Sequence, residues 1–425
     1  MNKILIKGAS ILDSSMKEPV SKDILIADGI IQEIQSSIED PQAEKINLPG
    51  RVICPGFIDL QAHLCEALQE IETAICWGTR EALRGGYTTV CAMPDINPPL
   101  DNEGMINLIQ ILSKAKGCVN VIPAACTTKG MKGESLSEIG NLVRSGAGIL
   151  YDAGKTISNT SLLRRVMEYT KMFSVPLFVH CEDDSLSCGG LMNESVTSAV
   201  LGLPGIPAVA EEIVVARDIL MAEYLQCPVH LALITTKGSV ELIRQAKKKG
   251  VRVTCGTTAH HLDLLDEDIR DFDTNYKINP PLRGAGDRCA LIEGLRDGTV
   301  DSIISDHTPC YGNIKNVEFA EAPFGIIGLE TCFRVCYENL VIREKLPLSL
   351  LIDKFSASPA RILGLGKKGH LKKGFVADLT ILDLTKKETL TEETMISRSK
   401  NTPYLGKTFS SAIDGCFVEG ILKRA

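Results

Sequence analysis

No two cysteines in this sequence form a CxxC pair, although 15 are present, and that argues against a structural zinc cluster. Also missing is any apolar run approaching the roughly 20 residues a membrane span requires. The segment Met1 to Asp13 alternates and carries Lys3 and Lys7, so it reads as an edge strand rather than a signal peptide. Lys and Arg (46) are spread along the chain and outnumbered by Asp and Glu (53), giving a net charge of -7. With a pI of about 5.7 there is no electrostatic footprint for nucleic acid. Aromatic residues are scarce at 5%, with Trp77 the single tryptophan, yet 44% hydrophobic residues suffice for a sizeable core. Internal repeats and low-complexity linkers are lacking as well. The expectation is a cytoplasmic globular protein without nucleic-acid or membrane partners. Its thiols, among them Cys54, Cys91, Cys126, Cys181 and Cys255 in or beside apolar runs, are expected to be reduced and mostly buried.

What is present is an alternation. Apolar runs rich in β-branched residues recur at 52–60, 88–93, 119–125, 146–151, 175–180, 229–234, 251–255 and 300–305. Segments with helical spacing lie between them, at 71–84, 103–116, 136–144, 161–173, 208–225, 239–249 and 288–295. Fully apolar strands alternating with helices predict a parallel sheet, and eight such strands predict closure into an α/β barrel of the (β/α)8 TIM type. The ends differ. Runs at 4–12, 23–34, 377–384 and 411–422 alternate without helices between them, and neither end has enough strands to bury a sheet face alone. The expected organisation is therefore a barrel over 52–365, with a small β-sandwich built from 1–51 and 366–425.

Barrel enzymes carry their sites at the C-terminal strand tips. Here the tips read Asp59-Leu-Gln-Ala-His63, Met93-Pro-Asp95, Tyr151-Asp-Ala-Gly154, His180-Cys-Glu-Asp183, Leu233-Ile-Thr-Thr236, Ala259-His-His261 and Ser305-Asp-His-Thr-Pro309. His63, His180 and His307 thus stand at tips, with Asp306 beside the last. Any one of them alone could be a structural histidine. His260 and His261 read as structural hydrogen-bonders, Asp59 as a loop brace, Trp77 as packing, and Lys247 to Lys249 as a solvated charge run at a helix end.

These tips and the phrases connecting them resemble the dihydroorotase family of the amidohydrolase superfamily. The likeness is carried by Pro55-Gly-Phe-Ile-Asp-Leu60, Gly85-Gly-Tyr-Thr-Thr-Val90, Gly205-Ile-Pro-Ala-Val-Ala-Glu-Glu212, His260-His-Leu-Asp-Leu264, Asn279-Pro-Pro-Leu-Arg283, Phe324-Gly-Ile-Ile-Gly-Leu-Glu330 and Ser358-Pro-Ala-Arg361. The resemblance implies an amidohydrolase-type barrel in which two metals, bridged by hydroxide, open or close a cyclic amide. It also implies the ligands: a His-x-His pair at the first tip, Asp or carboxylated Lys at the fourth, His at the fifth and sixth, and Asp at the eighth.

Set against that pattern, His63, His180 and Asp306 match as metal ligands, Asp306 as the proton shuttle too, and Asn279 matches a substrate-binding position. Six positions depart. Gln61 replaces the first histidine, Ala153 the bridging carboxylate and Leu233 the sixth-tip histidine. Cys65 replaces a substrate-gripping arginine, Asp95 an asparagine and Cys310 a histidine. Lys155 lies too far past its tip to stand in for a carboxylated lysine. A catalytic zinc usually takes three protein ligands and keeps an open position, so a full binuclear zinc site is not expected, and the cofactor reading is no zinc or one. Cys65 and Cys310 as replacement soft ligands are a further option.

The leading expectation is a dihydroorotase-like protein of pyrimidine biosynthesis with little or no hydrolase activity. The resemblance implies a role for such chains as structural partners of aspartate carbamoyltransferase, and a homo-oligomer is expected. Two alternatives stand beside it. One is an active cyclic amidohydrolase, interconverting carbamoyl aspartate and dihydroorotate, with one metal on His63, His180 and Asp306. The other is a ligand-binding regulatory module that uses the old pocket without chemistry.

Overall fold

The computed structural model describes residues 3–64 and 70–424. Eight parallel strands form the barrel: β1 (Phe57–Ala62), β2 (Tyr87–Ala92), β3 (Asn120–Ala125), β4 (Ile149–Leu150), β5 (Phe178–Val179), β6 (Val229–Leu231), β7 (Val253–Thr258) and β8 (Ser302–Ile304). Neighbours pair in sequence order. Single parallel bridges complete the ring, Leu150 with Leu177 between β4 and β5 and Ala62 with His307 between β1 and β8. Every residue of β1 and β2 is buried, as expected of strands covered on both faces.

Helices follow the strands at Ile71–Arg84, Glu103–Lys116, Ile139–Arg144, Thr160–Thr170, Val209–Leu225, Lys237–Lys248 and Ala285–Asp297. Three of these helices start at side-chain caps: Asn102 accepts from the amide of Met105, Asn159 from Leu162 and Thr236 from Ser239. Lys247, expected to be solvated, instead reaches across to the end of the next helix. Its ammonium donates to the carbonyls of Gly298 and Thr299 at 3.1 and 2.8 Å and lies 2.7 Å from Asp301 Oδ2. A cation completes the unpaired helix-end carbonyls there.

The apolar run 52–60 is not one strand. Val52–Pro55 pairs antiparallel with Leu379–Asp383 and parallel with Ser10–Ile11, so it belongs to the sandwich. The chain then crosses into β1 at Gly56, where a Cβ would lie 2.2 Å from the hydroxyl of Thr88, too close for any side chain. The sandwich stacks a six-stranded sheet, with strands from both chain ends, on a four-stranded sheet made of strands from the first 47 residues. Ile6, Ile24 and Ile26 from one end pack with Leu379, Ile381 and Phe417 from the other. Among the described residues no helix is long and apolar enough to cross a membrane.

Candidate active site

The strand tips surround a cavity of about 220 Å³ whose wall includes Gln61, His63, Asp95, Ala153, His180, Leu233, Asn279 and Asp306. Its floor is fastened at the seam between β1 and β8. Asp59 Oδ1 accepts from the amide of Ser305 at 3.0 Å, its other oxygen takes the Ser305 hydroxyl, and burial pushes this carboxyl up to about 6. Asp59 is a brace between tips. Asp306 follows with φ of +46°, a conformation costly for a residue with a side chain, and its carboxylate is thereby aimed at the first tip.

There Gln61 Nε2 donates to Asp306 Oδ1 at 2.7 Å, which fixes the amide's orientation and leaves Gln61 Oε1 buried without a hydrogen-bond partner. His63 is held between two carboxylates, with Nδ1 2.7 Å from Asp95 Oδ2 and Nε2 3.8 Å from Asp306 Oδ1. Only the imidazolium offers an N–H to both sides. Burial draws its pKa down, but the charge of Asp95 and the contact with Asp306 outweigh this and raise it to about 10.

A pH dependence follows. Because the folded-state pKa lies above the unfolded one, the His63 pair contributes fully below about pH 6.5 and is lost as pH rises through about 10. Asp95 is 34% exposed, which screens the pair, so a contribution of roughly 2 kcal/mol is expected instead of the whole shift. Urea unfolding of chelator-treated protein should show this loss between pH 6 and 10, and His63→Gln should flatten the profile.

The remaining tips divide between polar and apolar. Asp152 accepts from the amides of Thr127 and Thr128 at 2.7 and 3.1 Å, so its carboxylate faces the neighbouring loop. Ala153 and Leu233 join Met93, Tyr151 and Phe178 in one apolar cluster that carries the barrel core up to the cavity wall. His180 Nε2 lies 3.0 Å from Glu182 Oε2, and the same oxygen accepts from Asn279 Nδ2 at 2.8 Å. Burial acts to raise the Glu182 carboxyl, but the His180 and Asn279 contacts bring it down to about 2. Glu182 is the site residue that the sequence reading passed over. Its signal was present, since two residues apart along an extended segment puts His180 and Glu182 on one side.

Other candidates point elsewhere. His307 Nε2 is 3.1 Å from Glu81 Oε2 and its Nδ1 accepts from the amide of Gly328, so the ring faces away from the cavity. His261 bonds to the Thr258 hydroxyl and the Pro280 carbonyl, and burial draws it down to about 4. Cys310 does not line the cavity: its amide donates to Ser399 Oγ and Asn401 Oδ1, each at 3.1 Å. Cys65 lies outside the described residues.

This donor set does not fit a two-metal centre. Among the described residues no three His, Cys, Asp or Glu side chains gather to hold a metal ion. Ala153 and Leu233 bring no donor atom, and both nitrogens of His63 already face carboxylates.

A closed parallel barrel with its site at the strand tips, capped by a sandwich from both termini, is the amidohydrolase architecture. The L-hydantoinase (dihydropyrimidinase) of Arthrobacter aurescens shares it over 99% of this chain and 96% of its own, with a TM-score of 0.88 at 22% identity. The dihydropyrimidinase of Brevibacillus agri gives 0.84 at 20% identity, covering 99% of this chain and 94% of that one. Residues 50–239 match the family model described as dihydro-orotase-like. The chain is 43% identical over 418 residues to the dihydroorotase of Trichlorobacter lovleyi, spanning 98% of both. It is 42% identical over 417 residues to that of Acetivibrio thermocellus, again 98% of both. The chain belongs to the dihydroorotase family.

Proposed function

We propose that this dihydroorotase-family chain has little or no hydrolase activity and serves as a structural partner of aspartate carbamoyltransferase. The observation that carries the loss of activity is the wall formed by Leu233 and Ala153, apolar side chains packed with Tyr151 and Phe178 at two tips where the family pattern places metal ligands, while the partnership rests on the family resemblance alone. The electrostatics point the same way. His63 supplies the positive charge between Asp95 and Asp306 that a metal would otherwise supply, and a carboxylate at 95 repels an anionic substrate.

A second reading, an active dihydroorotase, is favoured by 43% identity across 98% of a relative of that name. It requires His63 to exchange Asp95 for a metal shared with His180 and Asp306. One pair of measurements separates the two. Under the proposal, purified protein contains well under one zinc per chain and does not interconvert carbamoyl aspartate and dihydroorotate. Stoichiometric zinc with turnover that chelation abolishes, and that Asp306→Asn removes, would overturn it. The partnership is read by co-purification: a carbamoyltransferase from the same organism should elute with this chain in a complex of fixed stoichiometry, and separate elution would sink that part.

A further inference from the structure

The cavity at the strand tips, about 220 Å³, is smaller than the roughly 300–1,000 Å³ of pockets that take drug-sized molecules, so it suits a small occupant. Its wall is unevenly furnished with hydrogen-bonding groups. Among the described residues, each side-chain donor group on the wall already faces an acceptor of the protein. Gln61 Nε2 donates to Asp306 Oδ1, and Asn279 Nδ2 donates to Glu182 Oε2. Both nitrogens of His63 face carboxylates, His180 turns Nε2 to Glu182, and the Thr308 hydroxyl donates to the Asp306 carbonyl at 3.0 Å. What remains is a surplus of acceptors. Carboxylates orient the two amides, so Gln61 Oε1 and Asn279 Oδ1 have no donor to meet. Asp95 and Asp306 each use only one carboxylate oxygen in these side-chain contacts.

Charge has the same sign as this surplus. Three carboxylates, those of Asp95, Asp306 and Glu182, face two imidazoles, His63 and His180, so one negative charge stays uncompensated even with both rings protonated. Gln61 is 6% exposed and the Asp306 side chain 13%, which keeps these groups out of bulk water and strengthens their pull on a charge. An anion would need donors that the wall has already committed, whereas a cation that brings its own N–H groups meets acceptors and unbalanced charge together. The rest of the wall, including Ala153, Leu233 and Phe324, is apolar, and it suits a short alkyl chain while giving a second charge no partner. A guanidinium fits best, because one planar group presents several N–H donors and loses less on leaving water than an ammonium does.

We propose that the strand-tip cavity binds a small organic cation, an alkylguanidinium or alkylammonium, with its N–H groups on the Asp95 and Asp306 carboxylates and its alkyl chain against Leu233. Such binding requires the metal-free site of the inactive-chain reading, and separate readouts decide the two. The probe is propylguanidinium, titrated calorimetrically into the chelator-treated full chain, with propylurea and propionate as its neutral and anionic counterparts. Propylguanidinium should bind once per chain with a Kd of roughly 1 mM or tighter and raise Tm. Propylurea should bind at least about tenfold more weakly, and neither propionate nor dihydroorotate should bind. Asp95→Asn, at a position 34% exposed, should weaken the cation about tenfold with unchanged circular dichroism. Asp306→Asn, which keeps a residue type tolerant of the positive φ there, should do the same. Propylurea binding as tightly as the cation, saturable binding of propionate, or indifference to both substitutions would overturn the proposal. Zinc-free, inactive protein that gives neither heat nor a rise in Tm with propylguanidinium would sink this inference alone, whereas stoichiometric zinc with turnover would sink the reading beneath it.

Discussion

Combining Gln61→His, Ala153→Asp and Leu233→His should raise the zinc content of the purified protein from well below one ion per chain to about two, the number the family pattern holds. The backbone at these tips is in place: the bridge between Ala62 and His307 closes the barrel beside the first, and Asp306 already points into the cavity. What is missing is donor atoms. Leu233→His exchanges an apolar contact for an imidazole ligand, and Ala153→Asp supplies the bridging carboxylate. In the metal-free state the triple variant should be less stable than the parent, because two polar groups enter an apolar wall. Added zinc should reverse that order, since a ligand that binds only the folded state stabilises it by mass action. Elemental analysis and thermal unfolding with and without zinc give both readouts. A variant that folds but takes up no zinc would show that more than these three side chains keeps metal out.

Arg283→Met should be the most destabilising single change near the site, at roughly 3–5 kcal/mol, the range for removing one partner of a buried ion pair. The Arg283 side chain is 4% exposed and reaches three segments at once. Nη1 donates to Asn193 Oδ1 and to the Ile206 carbonyl at 2.9 and 3.0 Å, while Nε donates to Thr235 Oγ1 at 3.1 Å. Glu211, 3.9 Å from the guanidinium and 2% exposed, would keep its charge without a compensating cation. That carboxylate accepts from the amides of Thr235 and Thr236, just past the sixth tip, so its loss of balance would loosen the segment carrying Leu233. Methionine fills much of the volume, which separates the ionic loss from a cavity. Urea unfolding measures the change, and a cost under about 1 kcal/mol would show that the asparagine and backbone contacts carry little.

The legibility of the site differs from residue to residue. Gln61, His63, His180, Leu233 and Asp306 were placed at tips by pattern alone, and they line one cavity. His307, read at the same kind of tip, turns to Glu81 instead, and nothing in Ser-Asp-His-Thr-Pro reports which way a ring faces. Lys247 read as solvated because its partners, Gly298, Thr299 and Asp301, lie about fifty positions further along the chain. The run 52–60 read as one strand because the sandwich sheet and the barrel both demand continuous apolar residues, and only Gly56 marks the crossing.

The alternation of strand and helix, the barrel, the pairing of the two ends into a sandwich, and the identity of the side chains at each tip are all legible in the amino-acid sequence. Those are consequences of hydrophobic period and residue chemistry, which are local. The folded chain is needed to see that Asp95 engages His63, that Glu182 joins His180 to Asn279, and that Ala153 and Leu233 share an apolar wall. Each of these depends on distances between residues far apart in the chain, which barrel closure sets and local periodicity does not encode.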